Sequence, residues 1–119
     1  MRFTKMHGAG NDFIIINNME ERIPVSELSD LAKALCNRRM SIGADGFIAV
    51  DHPESSGDFK MLFYNSDGSA GEMCGNGARC FGNFAAALLH HDKSAPLPFE
   101  TMAGIVTATF DKEGIVTVN

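Results

Sequence analysis

The 119-residue chain has no run of about 18 apolar residues, the least a membrane-spanning helix needs. Its first seven residues, Met1-Arg2-Phe3-Thr4-Lys5-Met6-His7, lack the apolar stretch of a secretory signal. It has no basic cluster: ten Lys and Arg are scattered along a chain of net charge −5, which removes the electrostatic footprint of a nucleic-acid binder. It has only three cysteines, an odd number with no Cys-x-x-Cys among them, which argues against a disulfide framework and for a reducing compartment. A cytoplasmic setting is expected. There is no internal repeat and no low-complexity segment. What remains is an ordinary apolar content, 45%, in a length that makes one domain. A chain of this size buries about two-thirds of its unfolded surface, so it builds a core without staples.

The hydrophobic pattern predicts strands over residues 2–7, 13–17, 47–50, 59–64, 99–102, 105–110 and 115–118, separated by Gly-, Pro- and Asn-rich turns. Leu28, Leu31, Ala32 and Leu35 recur at helical spacing, and predict a helix over 26–37 with Ser26 as its N-cap. A second helix runs from Gly75 to about residue 91, with Ala78, Phe81, Ala85 and Leu88 on its apolar stripe. Its small residues, among them Gly77, Gly82 and Ala86, suit close packing inside a curved sheet. Six or seven strands and two helices, without an alternating strand–helix–strand pattern, read as an α+β domain: a curled sheet around the second helix.

Cysteine is among the most buried residue types, so a lone cysteine is more often core than catalyst. Cys36, at the end of an amphipathic helix, and Cys80, on the second helix, fit that reading. Cys74 differs. It follows the polar, glycine-rich loop Asn65-Ser66-Asp67-Gly68-Ser69-Ala70-Gly71 and directly precedes the helix that opens at Gly75. Charge at a helix N-terminus is stabilised by about 0.3–1 kcal/mol, and by about 2 when partly buried. One pKa unit is about 1.36 kcal/mol, so a thiol there is expected to fall from about 8.5 to roughly 7–8. The same backbone N–H groups suit a carboxylate, and a bound anion would push the thiol back up.

Other chemistry is weaker. Gly75-Asn76-Gly77 either binds an anion or merely makes a tight helix entry, and Cys80 stands where a dinucleotide fingerprint needs its third glycine. Asn11, in Gly8-Ala9-Gly10-Asn11-Asp12, is either a turn former or an amide that fixes a ligand. Cys74, Cys80, His90 and His91 lack metal-ligand spacing, so no metal site is expected.

Phe3-Thr4-Lys5-Met6-His7-Gly8-Ala9-Gly10-Asn11-Asp12-Phe13, then Gly43-Ala44-Asp45-Gly46, then Asn65-Ser66-Asp67-Gly68-Ser69 through Cys74-Gly75-Asn76-Gly77-Ala78-Arg79-Cys80-Phe81 together resemble diaminopimelate epimerase, in the right order over the whole chain. That resemblance implies two similar domains facing a cleft, each giving one cysteine, with no pyridoxal phosphate, metal or other cofactor. It implies interconversion of LL- and meso-diaminopimelate in lysine and peptidoglycan precursor synthesis. Residues 1–119 are then expected to be the N-terminal epimerase domain, with the C-terminal domain and second catalytic cysteine outside this chain and the polypeptide inactive alone. Cys74 matches the first catalytic cysteine. Asn11, Asn65, Gly75 and Asn76 match substrate-binding positions. Some members have a substrate-contacting glutamine where Gly46 stands, so that contact is not carried over.

Two further readings stand beside this one. The chain could be a ligand-binding or interaction half-domain that needs a partner half, its exposed sheet edge open to homodimerisation. It could also be another isomerase of the same fold. Cys74 speaks against the phenazine-biosynthesis type, and a proline racemase relative would share the two-thiol logic.

Overall fold

The computed structural model describes residues 1–7, 10–54, 59–71, 75–89, 95–101, 104–110 and 116–118, with backbone alone for 75–79, 89 and 116–118. Among the described residues, seven strands form one sheet in sequence order: β1 (Thr4–His7), β2 (Asp12–Asn17), β3 (Gly46–Asp51), β4 (Phe59–Asn65), β5 (Leu97–Thr101), β6 (Gly104–Phe110) and β7 (Val116–Val118). Four neighbouring pairs are antiparallel, while β2–β3 and β4–β5 are parallel. Each parallel step requires a crossover. The first is made by α1 (Asn18–Glu21) and α2 (Val25–Leu35), the second by α3 (Gly75–Leu89). The sequence pattern therefore misled on one point: two strand–helix–strand units are present inside the mostly antiparallel sheet.

Both faces of the sheet are covered, which is why β2 and β3 read as continuous apolar runs. On one face Phe13, Ile15, Ile48, Phe63 and Phe99 pack with Cys80, Phe81, Ala85 and Ala86 of α3. On the other, Ile14, Ile16, Phe47 and Leu62 pack with Leu28 and Ala32 of α2 and with Cys36, its C-cap. The two sets alternate along β2, β3 and β4, as the period-2 geometry of a strand demands. Phe81 meets the rings of Phe59 and Phe99 at centroid distances of 6.3 and 4.5 Å.

The sheet is curled. A flat seven-stranded sheet would be roughly 29 Å across, against about 10 Å for a helix. Yet α3 touches β2 and β3 on one side and β6 and β7 on the other. The small side chains Ala85 and Ala86, both buried, let the helix lie in that concavity. Among the described residues, no helix is long and apolar enough to cross a membrane.

Two local details differ from expectation. The residue capping α2 is Pro24, with no side-chain bond, and Ser26 lies inside the first turn. Proline supplies a φ of −56° at the boundary, so the helix starts before the serine could serve it. The four-residue α1 was not foreseen, because one turn carries no periodicity. It is capped by Asn17 Oδ1, which accepts from Met19 N–H at 3.1 Å, and is stopped by Arg22 in the left-handed region (φ 54°).

Candidate functional site

Three strands meet their ends on one border of the sheet. Phe13 of β2 pairs with Gly46 of β3, which pairs with Asn65 of β4. Asn11, two residues ahead of Phe13, therefore stands at the same end as Asn65, and both are exposed. Asn65 also closes the loop that follows it. Its N–H donates to the Ser69 carbonyl (2.8 Å), its carbonyl accepts from Gly68 N–H (3.0 Å), and its Nδ2 donates to Ser69 Oγ (3.0 Å). Asp67 accepts from the hydroxyl and N–H of Ser69, which hold its carboxyl below the usual range.

The chain then returns along β4 until Gly71 N–H donates to the Phe63 carbonyl (2.9 Å). Helix α3 opens at Gly75, four residues on and so within about 14 Å of chain. Its later residues Phe84 and Leu88 border a hollow with Ile15 and Asn17, at the opposite end of β2. The helix thus runs away from the Asn11–Asn65 end, and its first turn, with Gly75 and Asn76, lies toward that end. Cys74 lies outside the described residues, as does the side chain of Asn76.

A charged cluster borders this end, and the sequence reading missed it. Asp12 accepts from both terminal nitrogens of Arg38 (2.8 and 3.2 Å) and pairs with Lys5 Nζ (3.0 Å). Its backbone N–H donates to Asp45 Oδ2 (3.0 Å), and Asp45 N–H donates back to the carbonyl and Oδ1 of Asp12 (both 3.0 Å). Lys5 Nζ also donates to the Gly43 carbonyl (2.6 Å). Gly43 has φ +81°, and a Cβ there would press into the Cγ and Cα of Arg38, so this glycine is what lets the arginine lie across the loop. The Arg38 guanidinium, helped by Lys5 and by the Asp45 N–H, holds the Asp12 carboxyl far below the usual range against the opposing effect of burial. With His7, Gly10 and Asn11, the cluster borders a cleft of about 280 Å³.

Larger hollows among the described residues, of about 480, 520 and 410 Å³, lie beside Phe84 and Leu88, beside Leu62 and Ile105, and beside Ile23 and Leu31. The small cleft carries the denser set of charged groups. The signal that could have found it was Asp45 in Gly43-Ala44-Asp45-Gly46, which reads as a turn until its partner 33 residues away is known.

Cys36 and Cys80 are both buried. Burial, aided by the Asp12 carboxylate, pushes the Cys36 thiol up to about 11, so it stays protonated at neutral pH. Of the residues weighed for zinc, Cys74, His90 and His91 lie outside the described residues. Among the described residues no three His, Cys, Asp or Glu gather as a metal would require.

Known proteins are similar to this chain. A diaminopimelate epimerase from Halothermothrix orenii is 49% identical over 90% of this chain and 37% of its own length. A crystal structure of a phenazine biosynthesis protein from Bacillus anthracis superposes with a TM-score of 0.66 at 18% identity, over 98% of this chain and 37% of that one. A hydroxyproline epimerase from Agrobacterium vitis superposes with a TM-score of 0.62 at 15% identity, over 98% and 40%. These two likenesses establish the fold. The chain spans about two-fifths of the length of the curated relatives it matches. The family profile described as diaminopimelate epimerase matches residues 3–119, which take in every strand and helix named above. On that match the chain belongs to the diaminopimelate epimerase family.

Proposed function

We propose that this chain is the N-terminal lobe of a diaminopimelate epimerase and supplies one of two catalytic thiols, that of Cys74. Epimerisation removes the α-hydrogen from one face of the stereocentre and returns a proton to the other. A single base tends to return the proton where it came from, so a thiolate and a thiol on opposite faces meet the geometric need. Asn11 and Asn65 bind the substrate, and Gly75 and Asn76 hold its reacting amino-acid end. Backbone N–H groups in the first turn of α3 bind its carboxylate as carbanion charge spreads onto it. The chemistry needs no pyridoxal phosphate, metal or other cofactor, because the thiol pair does the proton work.

One observation carries this reading: Asn11, Asn65 and the opening turn of α3, drawn from three separated parts of the sequence, lie toward one end of the sheet. The second thiol must come from elsewhere, since Cys36 and Cys80 are buried in the two cores. We place it in a second lobe, as the coverage of the relatives supports. The setting is cytoplasmic, with neither nucleic acid nor membrane as partner. The terminal strand β1 offers an edge through which two copies could pair.

The test is Cys74→Ser in the complete two-lobed enzyme, with isotope exchange at the substrate α-carbon followed in deuterated water. Loss of inversion by several orders of magnitude is expected, while inversion at the normal rate would overturn the reading. The isolated chain should show no turnover until the second lobe is supplied.

A further inference from the structure

Asn11 is exposed at the turn that leads into β2. The peptide that follows it is fixed. Asp12 N–H, which shares a planar unit with the Asn11 carbonyl, is held by Asp45 Oδ2 at 3.0 Å. Asp45 is held in return through its own N–H by the carbonyl and carboxylate of Asp12, both at 3.0 Å. The Asp12 carboxylate is gripped in turn by the fork of Arg38 (2.8 and 3.2 Å) and by Lys5 (3.0 Å). Two other segments are thereby tied to the peptide next to Asn11: β1, through Lys5, and the stretch between α2 and β3, through Arg38 and Asp45.

Stability alone does not account for this arrangement. Apolar side chains of similar volume often serve a fold as well as a paired carboxylate does. A two-pronged, charge-assisted pair supplies direction, which apolar contacts do not. Fixing the peptide plane fixes the Asn11 carbonyl and Cα and leaves the side chain little freedom beyond its own ψ and side-chain torsions. A misplacement of about 1 Å in a substrate-holding group can cost about a hundredfold.

We propose that Asp12, clamped by Arg38 and Asp45, is a positioning residue that aims Asn11 at the substrate. The proposal rests on the reading of Asn11 as a substrate-binding residue. Asp12 acts only through its neighbour and touches no reacting atom.

The test is a double-mutant cycle in the complete epimerase, with KM and kcat measured separately for Asp12→Asn, Asn11→Ala and the pair. The carboxamide of Asp12→Asn keeps an acceptor for Asp45 N–H but cannot take both guanidinium nitrogens as a charged fork. Asp12→Asn is expected to raise KM about tenfold with kcat within about twofold, the pattern of a lost binding contact. The double variant should be no worse than Asn11→Ala alone, because the clamp has nothing left to aim. If the two effects multiply, or Asp12→Asn leaves KM unchanged, the positioning role is wrong while Asn11 stands as a ligand. If Asn11→Ala itself leaves KM unchanged, the reading of Asn11 falls and the proposal falls with it. Should Asp12→Asn fail to fold, Arg38→Gln takes its place in the same cycle with the same criteria.

Discussion

Gly71 passes directly over the ring of Phe63, and a Cβ at this position would collide with two ring carbons and come within 3.3 Å of Asn65 Oδ1. Phe63 is buried against α3, so the ring has little room to yield. The glycine thus sets how closely the loop after Asn65 can return along β4 before the chain reaches Cys74. Gly71→Ala should destabilise the fold by about 1–3 kcal/mol, the usual cost of overpacking. Urea unfolding of Gly71→Ala, Phe63→Leu and the double variant checks the cause. The double variant should cost less than the sum of the singles, because the smaller side chain removes the obstacle. Full additivity would place the cost of the alanine elsewhere.

Phe81 is the anchor of α3. Its ring is fully buried and meets Phe99 at 4.5 Å and Phe59 at 6.3 Å. Those partners lie on adjacent strands, β4 and β5, whose parallel pairing depends on the crossover that α3 makes. Phe81→Ala should cost about 3–5 kcal/mol, the range for emptying an aromatic site in a packed core. Chemical denaturation measures it. A cost below about 1 kcal/mol would mean that the concave face closes around the cavity and that the ring contacts matter little.

The sequence announced the strands better than their neighbours. Residues 13–17 and 47–50 are short apolar runs, and such runs identify a buried strand without saying which strand lies beside it. Their parallel pairing, and with it the crossover role of α2, became visible only in three dimensions. Cys36 and Cys80 were legible as core because they sit on apolar helix faces, and both are buried. The Asp12–Arg38 pair was not legible, since its partners are 26 residues apart and each alone reads as an ordinary surface charge. Asn65 was singled out through resemblance alone, and resemblance decided between the two readings of Asn11. Composition treats both as turn formers, and the register that brings them to one end of the sheet belongs to the fold.

The cysteines should differ sharply in reactivity. With its thiol pushed up to about 11 by burial, Cys36 is ionised to only about 0.1% at pH 8. A free cysteine, titrating near 8.5, is about a quarter ionised there, so the shift alone slows alkylation of Cys36 roughly two-hundredfold. Iodoacetamide labelling at pH 8, read residue by residue by mass spectrometry, should leave Cys36 unmodified while Cys74 reacts first. The rate at Cys36 should climb with pH to beyond 10. Rapid labelling of Cys36 at pH 8 would show that the α2 face opens readily in solution.

Acid should expose the contribution of Asp12. Its carboxyl is held below the usual range in the fold, first by Arg38, whereas an unfolded aspartate titrates near about 3.9. As pH falls, the unfolded chain therefore takes up the proton first. The stability this carboxylate supplies is fully present above about pH 5 and drains away as pH drops through and below about 4. Asp12→Asn has no such proton to bind. The stability gap between wild type and Asp12→Asn should be level from about pH 5 to 8 and narrow below about pH 4. The Arg38 side chain is 56% exposed, which lets salt screen the pair, so the gap should also shrink toward about 1 M ionic strength. A gap that widens in acid would mean that burial outweighs Arg38 and that the clamped carboxyl is easier to protonate in the fold than out of it.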